Sequence, residues 1–237
     1  GCFHNHTTWS DGAESVAGMA EAALARGWRY LGIADHSQFA GYAGGLTADD
    51  LRRQAEEVAA WNEARGDEVW VFHGVEADIL ADGALDLADT GVLDELDYVV
   101  GSVHSSFRLP EPKQTARMLR ALEDPRLTFL GHATGRLLLR RDGYAVDVEA
   151  VLARAAETGA GIEINANPNR LDLDWRWWRG ARGLGIKTAI NPDGHTIREL
   201  DNVGYGIGVA RKGGLTAADV VNAWPLEQVK RWLARRR

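Results

Sequence analysis

Short apolar runs alternate with amphipathic stretches along the whole chain. Each run is about as long as a β-strand and is rich in Val, Ile, Leu or aromatic residues. Seven runs follow this pattern, at residues 2–6, 28–34, 69–79, 96–103, 127–132, 161–165 and 186–191. Because the stretches between them have helical periodicity, the pattern predicts a parallel sheet whose strands are connected by helices.

The predicted helices begin and end at residues that favour helix termini. The clearest case is residues 47–65, where Thr47 is a suitable N-cap and Gly66 a suitable stop. In all, helices are expected at residues 13–26, 47–65, 112–123, 147–158, 175–184 and 216–223, and from Pro225 onwards.

The number of strand–helix units favours a closed barrel over an open sheet. An open sheet would favour a Gly-rich phosphate loop, and the sequence has neither a G-x-G-x-x-G nor a Walker pattern. The prediction is therefore a single α/β domain over residues 1–237, folded as a TIM-like barrel of about seven strands.

Composition and charge narrow the range of functions. The 237 residues are 45% hydrophobic and 26% charged, as in ordinary soluble domains, and no apolar stretch is long enough to span a membrane. The net charge of −7 argues against a broad basic surface for nucleic acid, so a phosphate-bearing substrate would need a local positive feature. The one Cys excludes an internal disulfide and fits a reducing, cytoplasmic compartment.

Polar residues gather where the predicted strands end. A lone His at such a position is usually a hydrogen-bonded structural residue, but six of the seven His lie there, and so many buried polar groups need partners. His and carboxylate side chains are the usual ligands of divalent Zn, Mn or Fe, and the carboxyl ends of barrel strands are where the chemistry of such folds occurs. Nine ligands suit two or three ions. The candidates are His4, His6, Asp11, His36, Glu76, His104, His132, Asp193 and His195.

Strand periodicity supports this selection and excludes the seventh His. His4 and His6 are two residues apart, so on a strand they would point to the same side. His73 is three residues from Glu76, and this odd separation places it on the opposite face, toward the helices.

The motifs around these residues resemble the PHP (polymerase and histidinol phosphatase) family. They are HNHTTWSDG at residues 4–12, ADHS at 34–37, GVE at 74–76, GSVHSSF at 101–107, GH at 131–132 and NPDGH at 191–195. Within the family, the chain is most similar to the C-terminal PHP domain of bacterial family-X DNA polymerases. The stretches that suggest this are SVHSSF at 102–107, GHATGRLLLRR at 131–141 and EINANP at 163–168.

The resemblance implies a distorted seven-stranded (β/α) barrel, the PHP fold, with a trinuclear metal centre. By position, three divalent ions would divide the ligands into three groups: His4, His6, Glu76 and Asp193; Glu76, His104 and His132; and Asp11, His36 and His195. It also implies hydrolysis of phosphoester bonds, with 3′→5′ exonuclease action in the polymerase-linked members, typically with manganese.

The expected mechanism is attack on phosphorus by hydroxide formed from a metal-bound water. Glu76, Asp193 and His195 are the catalytic candidates, and His195 or a metal-bound water would protonate the leaving group. The substrate-binding candidates are Arg136, Ser105, Asn165 and Asn167. Arg136 would either bind a phosphate through a bidentate hydrogen-bonded contact or belong to a solvated charged surface.

Three hypotheses of function stay open. The first is a phosphodiesterase acting on a DNA 3′ end or on other diesters or triesters. The second is a phosphomonoesterase of the histidinol-phosphatase type, and the third is a non-catalytic domain that braces a DNA polymerase. The chain is expected either to stand alone or to be excised from a polymerase, with a phosphate-ester substrate, no membrane partner and an oligomeric state that the sequence leaves open.

Two further features have two interpretations each. Cys2 stands where the family commonly has Asp, either as a packing substitute or as a soft ligand that favours zinc. The Trp residues at 175, 177 and 178 either stack on a base or pack against the fold.

Overall fold

Six parallel strands form one sheet in the order in which they occur along the chain. The structure is a computed structural model, and it describes residues 1–235. The strands are β1 Tyr30–Ile33, β2 Trp70–Asp78, β3 Tyr98–Ser102, β4 Phe129–Leu130, β5 Gly161–Asn165 and β6 Thr188–Asn191. Each strand pairs in parallel with the next, as the alternating pattern predicts.

The first apolar run closes the barrel without forming a regular strand. On one side, the amide of Gly32 donates to the carbonyl of Cys2 at 2.8 Å; on the other, the amide of His6 donates to the carbonyl of Gly194 at 2.8 Å. Within residues 2–6, regular pairing geometry is limited to one isolated bridge, between Asn5 and Gly194. The barrel is therefore α/β and distorted, with six regular strands and one irregular segment between β1 and the residues after β6.

Seven α-helices surround the sheet in the part of the chain that the structure describes. They are α1 Val16–Ala25, α2 Ala48–Arg65, α3 Glu111–Leu122, α4 Val148–Thr158, α5 Trp175–Gly183, α6 Val203–Lys212 and α7 Leu226–Ala234. Thr47 caps α2 as predicted, because its side chain accepts from the amide of Asp50, whose carboxylate accepts in return from the amide of Thr47. None of the helices in residues 1–235 is both long enough and apolar enough to cross a bilayer.

Two parts of the helix prediction are wrong. Residues 216–223 form turns that end in a short 3₁₀ helix, Val221–Ala223, because Thr188 of β6 donates to the carbonyl of Asp219 and holds this segment beside the sheet. Helix α6 lies outside the predicted helices, and its three Gly residues lower its helix propensity. Gly206 explains one of them: a Cβ there would lie 2.4 Å from the side chain of Ile190, so Gly allows α6 to approach β6 closely.

Side chains alternate strictly between the helices and the barrel interior. On β5, Ile162 and Ile164 belong to the core beneath the helices, whereas Glu163 and Asn165 point inward. The amino-terminal half of the interior is apolar and is filled by an aromatic cluster: Phe3, Tyr30, Phe72, Tyr98 and Phe129. Helix α7 contributes Val229 and Leu233 to this cluster. The carboxyl-terminal half of the interior is polar and holds the candidate ligands.

Candidate metal centre

A single buried carboxylate, that of Glu76 on β2, stands at the centre of the polar half. Five imidazoles approach it within 4 Å, those of His4, His6, His36, His104 and His132. The shortest contacts are 2.9 Å from Oε2 to His36 Nδ1 and 3.0 Å from Oε1 to His132 Nε2. One carboxylate therefore faces donors that the sequence separates by more than a hundred residues.

Asp193 supplies a second carboxylate beside the first. Its Oδ1 lies 3.3 Å from His6 Nε2 and 3.6 Å from His4 Nε2. Its Oδ2 accepts from Asn165 Nδ2 at 3.0 Å and lies 3.4 Å from Nε of Arg170. The backbone of Asp193 has φ 53°, a left-handed conformation that non-Gly residues rarely adopt outside constrained sites. The turn after β6 thus directs this side chain back into the barrel.

Asp11 forms the open edge of the cluster. Its Oδ1 lies 3.3 Å from His195 Nε2, 3.7 Å from His36 Nε2 and 3.9 Å from His6 Nδ1. The Asp11 side chain is 38% exposed and that of His195 is 32% exposed, whereas the other ligand candidates are largely buried. Substrate therefore has access to the centre from the side of Asp11 and His195.

Asp35 fixes the loop that carries Asp11. Its carboxylate accepts from the Thr7 amide and hydroxyl, both at 2.7 Å, and from the Ser10 hydroxyl at 2.5 Å. It also accepts from Gln54 Nε2 at 2.6 Å, which links the loop to α2. Asp35 is not among the predicted site residues, although it lies in the ADHS motif directly before His36.

Two further carboxylates contact ligand imidazoles on the side of the ring away from Glu76, and neither is among the predicted site residues. Glu163 Oε2 lies 2.7 Å from His4 Nδ1, and Asp78 Oδ2 lies 3.2 Å from His104 Nδ1. Such carboxylates fix the tautomer and orientation of an imidazole that ligates an ion through its other nitrogen. Strand alternation was the available signal, because Glu163 shares its face with Asn165 and Asp78 shares its face with Glu76.

Buried atoms without hydrogen-bond partners show that the cluster suits cations. Several of these atoms lie close to the Glu76 carboxylate or belong to it, but they make no hydrogen bond of acceptable geometry. Among the described residues, they include His4 Nε2, His6 Nδ1, His36 Nδ1, His132 Nδ1 and Glu76 Oε2. Polar atoms left in this state cost free energy unless something else satisfies them. The ligand atoms also form three groups, and within each group all of them lie within 4.8 Å of one another. The groups are His6, Asp11, His36 and His195; His4, His6 and Asp193; and His36, Glu76 and His104. Imidazole nitrogens and carboxylate oxygens fit zinc, manganese or iron.

Comparison with known proteins identifies the family. A sequence model of the PHP domain matches residues 3–167. The chain belongs to the PHP family. It is 43% identical to the DNA polymerase/3′-5′ exonuclease PolX of Bacillus subtilis over 235 residues, which cover 99% of this chain but 41% of that protein. It is also 26% identical to a probable phosphatase of Thermoanaerobacter sp. over 231 residues, 92% of this chain and 88% of the relative.

A solved structure confirms the PHP fold. The histidinol phosphate phosphatase of Lactococcus lactis, solved with zinc, L-histidinol and phosphate, superimposes with a TM-score of 0.66 at 16% identity. The match covers 91% of this chain and 94% of that one. Fold and family together make this PHP domain a metal-dependent phosphoesterase.

The charges in the PHP centre are strongly coupled. Burial alone would raise the pKa of Glu76, but the imidazoles of His4, His104 and His36 outweigh it and hold that pKa well below its usual range. Against the effect of burial, the Glu76 carboxylate raises the pKa of His104 to about 10, whereas burial and His36 lower the pKa of His6 to about 4. A divalent ion would take the place of the protons held here, so its affinity should increase as the pH rises.

The four substrate-binding candidates occupy different positions. Asn165 is buried and donates to both Glu163 and Asp193, so it orients other side chains in the centre. Ser105 follows His104 and is half-buried, and its carbonyl accepts from Arg117 at 2.9 Å. Asn167 lines a groove of about 850 Å³ together with Thr196 and Tyr205, and none of the nine ligand candidates lines it.

Arg136 has a different environment from that of a free phosphate clamp. Its guanidinium donates to the carbonyl of Arg170 at 2.8 Å, to Asp174 Oδ2 at 2.9 Å and to the carbonyl of Leu171. Arg136 therefore braces the loop after β5. The cation that reaches the centre is Arg170 on that loop, which the sequence analysis did not select.

Three other residues lie outside the cluster. His73 is on the outer face of β2, as its spacing predicts, and its Nε2 lies 3.0 Å from Gln54 Oε1. Cys2 is buried in an apolar cluster and belongs to none of the donor groups, and burial raises the pKa of its thiol to about 11, which supports the packing interpretation. Trp178 is likewise buried and donates to the carbonyl of Leu173 at 3.1 Å.

Proposed function

We propose that this PHP domain hydrolyses phosphodiester bonds at the 3′ ends of single-stranded nucleic acid, using three divalent ions held by the nine ligand candidates. The observation that carries the proposal is the convergence of imidazoles on Glu76, with Asp193 and Asp11 beside it. The choice of substrate is supported by the similarity to PolX over 99% of this chain.

The nine side chains would hold the ions in the three groups that the resemblance implies. When bound, such ions supply a nucleophile from water at neutral pH and neutralise charge on the phosphoryl oxygens. Glu163 and Asp78 hold His4 and His104 in the orientation that leaves their Nε2 atoms facing Glu76. These residues therefore prepare the centre before substrate arrives.

Arg170 is the residue that would bind the substrate phosphate. Its side chain is mostly buried and its Nε lies near Asp193, so part of its charge is already compensated. A guanidinium has five N–H donors, so others stay available for the non-bridging oxygens of a phosphate, which it can bind in a bidentate contact. Arg136 would act indirectly, by fixing the backbone of Arg170.

His195 would serve as a ligand rather than as the proton donor. Its Nδ1 faces the carbonyl of Asp193 at 3.1 Å, so Nε2 is the nitrogen that faces Asp11 at 3.3 Å. A nitrogen that ligates an ion carries no proton, and the same Nε2 cannot do both at once. The proton for the leaving alkoxide would then come from another group or from water.

The accessible side of the centre favours a diester over a monoester. A polynucleotide needs room on both sides of the reacting phosphate, and the groove lined by Asn167, Thr196 and Tyr205 includes the residue that directly follows His195 in the chain. Phosphomonoester hydrolysis is the second candidate, because the Lactococcus histidinol phosphate phosphatase has this fold and the Thermoanaerobacter relative is a probable phosphatase.

The test combines metal analysis with a substrate screen. The purified protein is loaded with zinc, manganese or iron, its metal content is measured by mass spectrometry, and it is assayed on a 5′-labelled oligonucleotide, a small diester and histidinol phosphate. We expect three ions per chain and stepwise shortening from the 3′ end. Hydrolysis of the monoester alone would favour the phosphatase, and bound ions without hydrolysis would favour a bracing domain. His73→Gln is the matched control, because it changes a His outside the centre.

A further inference from the structure

Two exposed aromatic side chains lie on the loop between β1 and α2, directly after the ligand candidate His36. Phe39 is 51% exposed and Tyr42 is 76% exposed. The ring centroid of Tyr42 lies 6.3 Å from that of His36, its only aromatic neighbour in residues 1–235. Large apolar rings exposed beside a reaction centre are unfavourable in water and typical of surfaces that bind a partner.

Hydrogen bonds brace the loop that carries Tyr42. At its ends, the amide of Ser37 donates to the carbonyl of Glu76 at 3.0 Å and that of Leu46 donates to the carbonyl of His36 at 2.8 Å. In between, the amide of Phe39 donates to Asp86 Oδ2 at 2.8 Å. A side chain on a loop braced at both ends loses little conformational entropy when a ligand binds. The loop is therefore suited to present an aromatic surface.

The positions of the phosphate-binding groups favour a neutral ligand at Tyr42. The groups that would bind phosphate, which are Arg170 and the metal ions, lie in the centre rather than at this ring. An uncharged aromatic group fits the surface of Tyr42, and the phosphate attached to it fits the centre.

We propose that Tyr42 is a base-stacking subsite, which binds the nucleobase of the 3′-terminal nucleotide while its phosphate lies at the metal centre. This inference rests on the proposed function and assigns single-stranded polynucleotide, rather than a small diester, as the preferred substrate class. Every nucleobase has an aromatic face, so the subsite tolerates all four bases.

Trp175 offers a matched comparison on another surface. Its ring already has the Lys212 ammonium at 4.4 Å and the Arg176 guanidinium at 5.5 Å from the ring centroid. These cations already lie over the face of the Trp175 ring, whereas no Lys or Arg among the described residues lies over the Tyr42 ring. Trp175→Ala therefore removes a partly exposed aromatic side chain without touching the proposed subsite.

The experiment compares metal-loaded wild type, Tyr42→Ala, Tyr42→Phe and Trp175→Ala. Two oligonucleotides differ only at the 3′-terminal residue, which carries either a base or an abasic tetrahydrofuran. Stacking contributes the equivalent of about 5- to 150-fold in affinity per base, so Tyr42→Ala should raise the KM for the base-bearing end by that factor. The KM preference for base-bearing over abasic ends should fall to about 1, while Tyr42→Phe and Trp175→Ala keep the wild-type preference.

A spectroscopic readout separates stacking from a purely structural role. An oligonucleotide with 2-aminopurine at its 3′ end and a slowly hydrolysed phosphorothioate linkage should lose fluorescence on binding wild type and Tyr42→Phe, but not on binding Tyr42→Ala. If Tyr42→Phe is as defective as Tyr42→Ala, the hydroxyl is what matters and the stacking proposal is wrong. Equal KM values of wild type for the two ends would overturn it as well. If wild type cuts neither oligonucleotide but hydrolyses monoesters, the proposed function itself fails.

Discussion

The two halves of the barrel interior are built on the same inward-facing strand positions with opposite kinds of side chain. Strand β2 shows both, because Phe72 and Glu76 point inward four residues apart, about 13 Å along the strand. Phe72 belongs to the aromatic cluster, whereas Glu76 is surrounded by imidazoles. One strand thus runs from an apolar core into a charged site.

The two halves differ in whether their contacts are complete. In the aromatic half, the ring of Phe129 lies 5.4 Å from that of Phe3 and 5.5 Å from that of Trp232, and the Tyr98 hydroxyl donates to the carbonyl of Ile33 at 2.8 Å. In the charged half, several buried nitrogens and Glu76 Oε2 make no hydrogen bond of acceptable geometry to the described residues. The aromatic half therefore stabilises the fold by itself, and the charged half is completed by what it binds.

The largest expected effect is that of Glu76→Ala, which should reduce metal binding and activity without unfolding the protein. Removing a partner that merely orients a ligand costs 10- to 100-fold, so losing the carboxylate that faces five imidazoles should reduce kcat by on the order of 10⁴-fold or more in Glu76→Ala. Bound ions should fall below the wild-type number. The measurements are steady-state kinetics and mass spectrometry of the metal-loaded protein.

The fold of Glu76→Ala should persist, because the aromatic half is unchanged. Near-wild-type activity in this variant would rule out the proposed centre. A variant that binds no ions because it does not fold would show instead that the two halves depend on each other, and circular dichroism distinguishes the two cases.

The converse change is Phe129→Ala in the aromatic half. Phe129 is fully buried, so its truncation should lower the free energy of unfolding by about 3–5 kcal/mol through lost burial and a residual cavity. Urea unfolding measures this loss. Metal content per folded chain should stay at the wild-type value, and a loss of ions from protein that remains folded would contradict the separation of the two halves.

Glu163→Gln tests whether a carboxylate in the charged half positions the imidazole of His4. The amide keeps the size of the side chain but removes the charge that faces His4 Nδ1 at 2.7 Å. We expect metal affinity or activity to fall by about 10- to 100-fold, the usual effect of losing a carboxylate behind a ligating imidazole. The matched control is Glu157→Gln, which changes an exposed Glu on α4. Chelator competition measures the affinity, and equal values for the two variants would show that Glu163 does not position His4.

The ligand candidates were accessible from the sequence because strand ends follow from hydrophobic runs, and parallel strands bring those ends together. The supporting carboxylates were harder to find. Glu163 and Asp78 lie within strands, where a charged residue is visible only once the inward face is known. Arg170 lies on a loop whose path depends on its brace by Arg136, a contact that spacing does not encode.

Local patterns failed where tertiary packing overrides propensity. Helix α6 contains Gly residues that lower its helix propensity, yet Gly206 is required for its contact with Ile190. Residues 2–6 look like a regular strand but close the barrel between two partners with different registers. In both cases the deciding contact lies far away in the sequence.

The smallest expected effect is the contribution of His73 to the pH dependence of stability. His73 is the one His outside the metal centre, so it shows how the outer face of β2 responds to charge. Burial lowers its pKa from 6.5 to about 4, against a weaker opposing effect of Asp35. Below pH 6.5 the unfolded chain takes up a proton that the folded protein resists, so this group costs stability as the pH falls toward 4, by about 3 kcal/mol in total. In chelator, the difference in unfolding free energy between wild type and His73→Gln should therefore shift against wild type by about 1–2 kcal/mol between pH 7 and pH 5. The ligand candidates are common to both proteins and cancel in this difference. A difference that stays constant with pH would mean that His73 takes up its proton as readily in the folded state as in the unfolded state, and that the outer face of β2 tolerates charge as the inner face does.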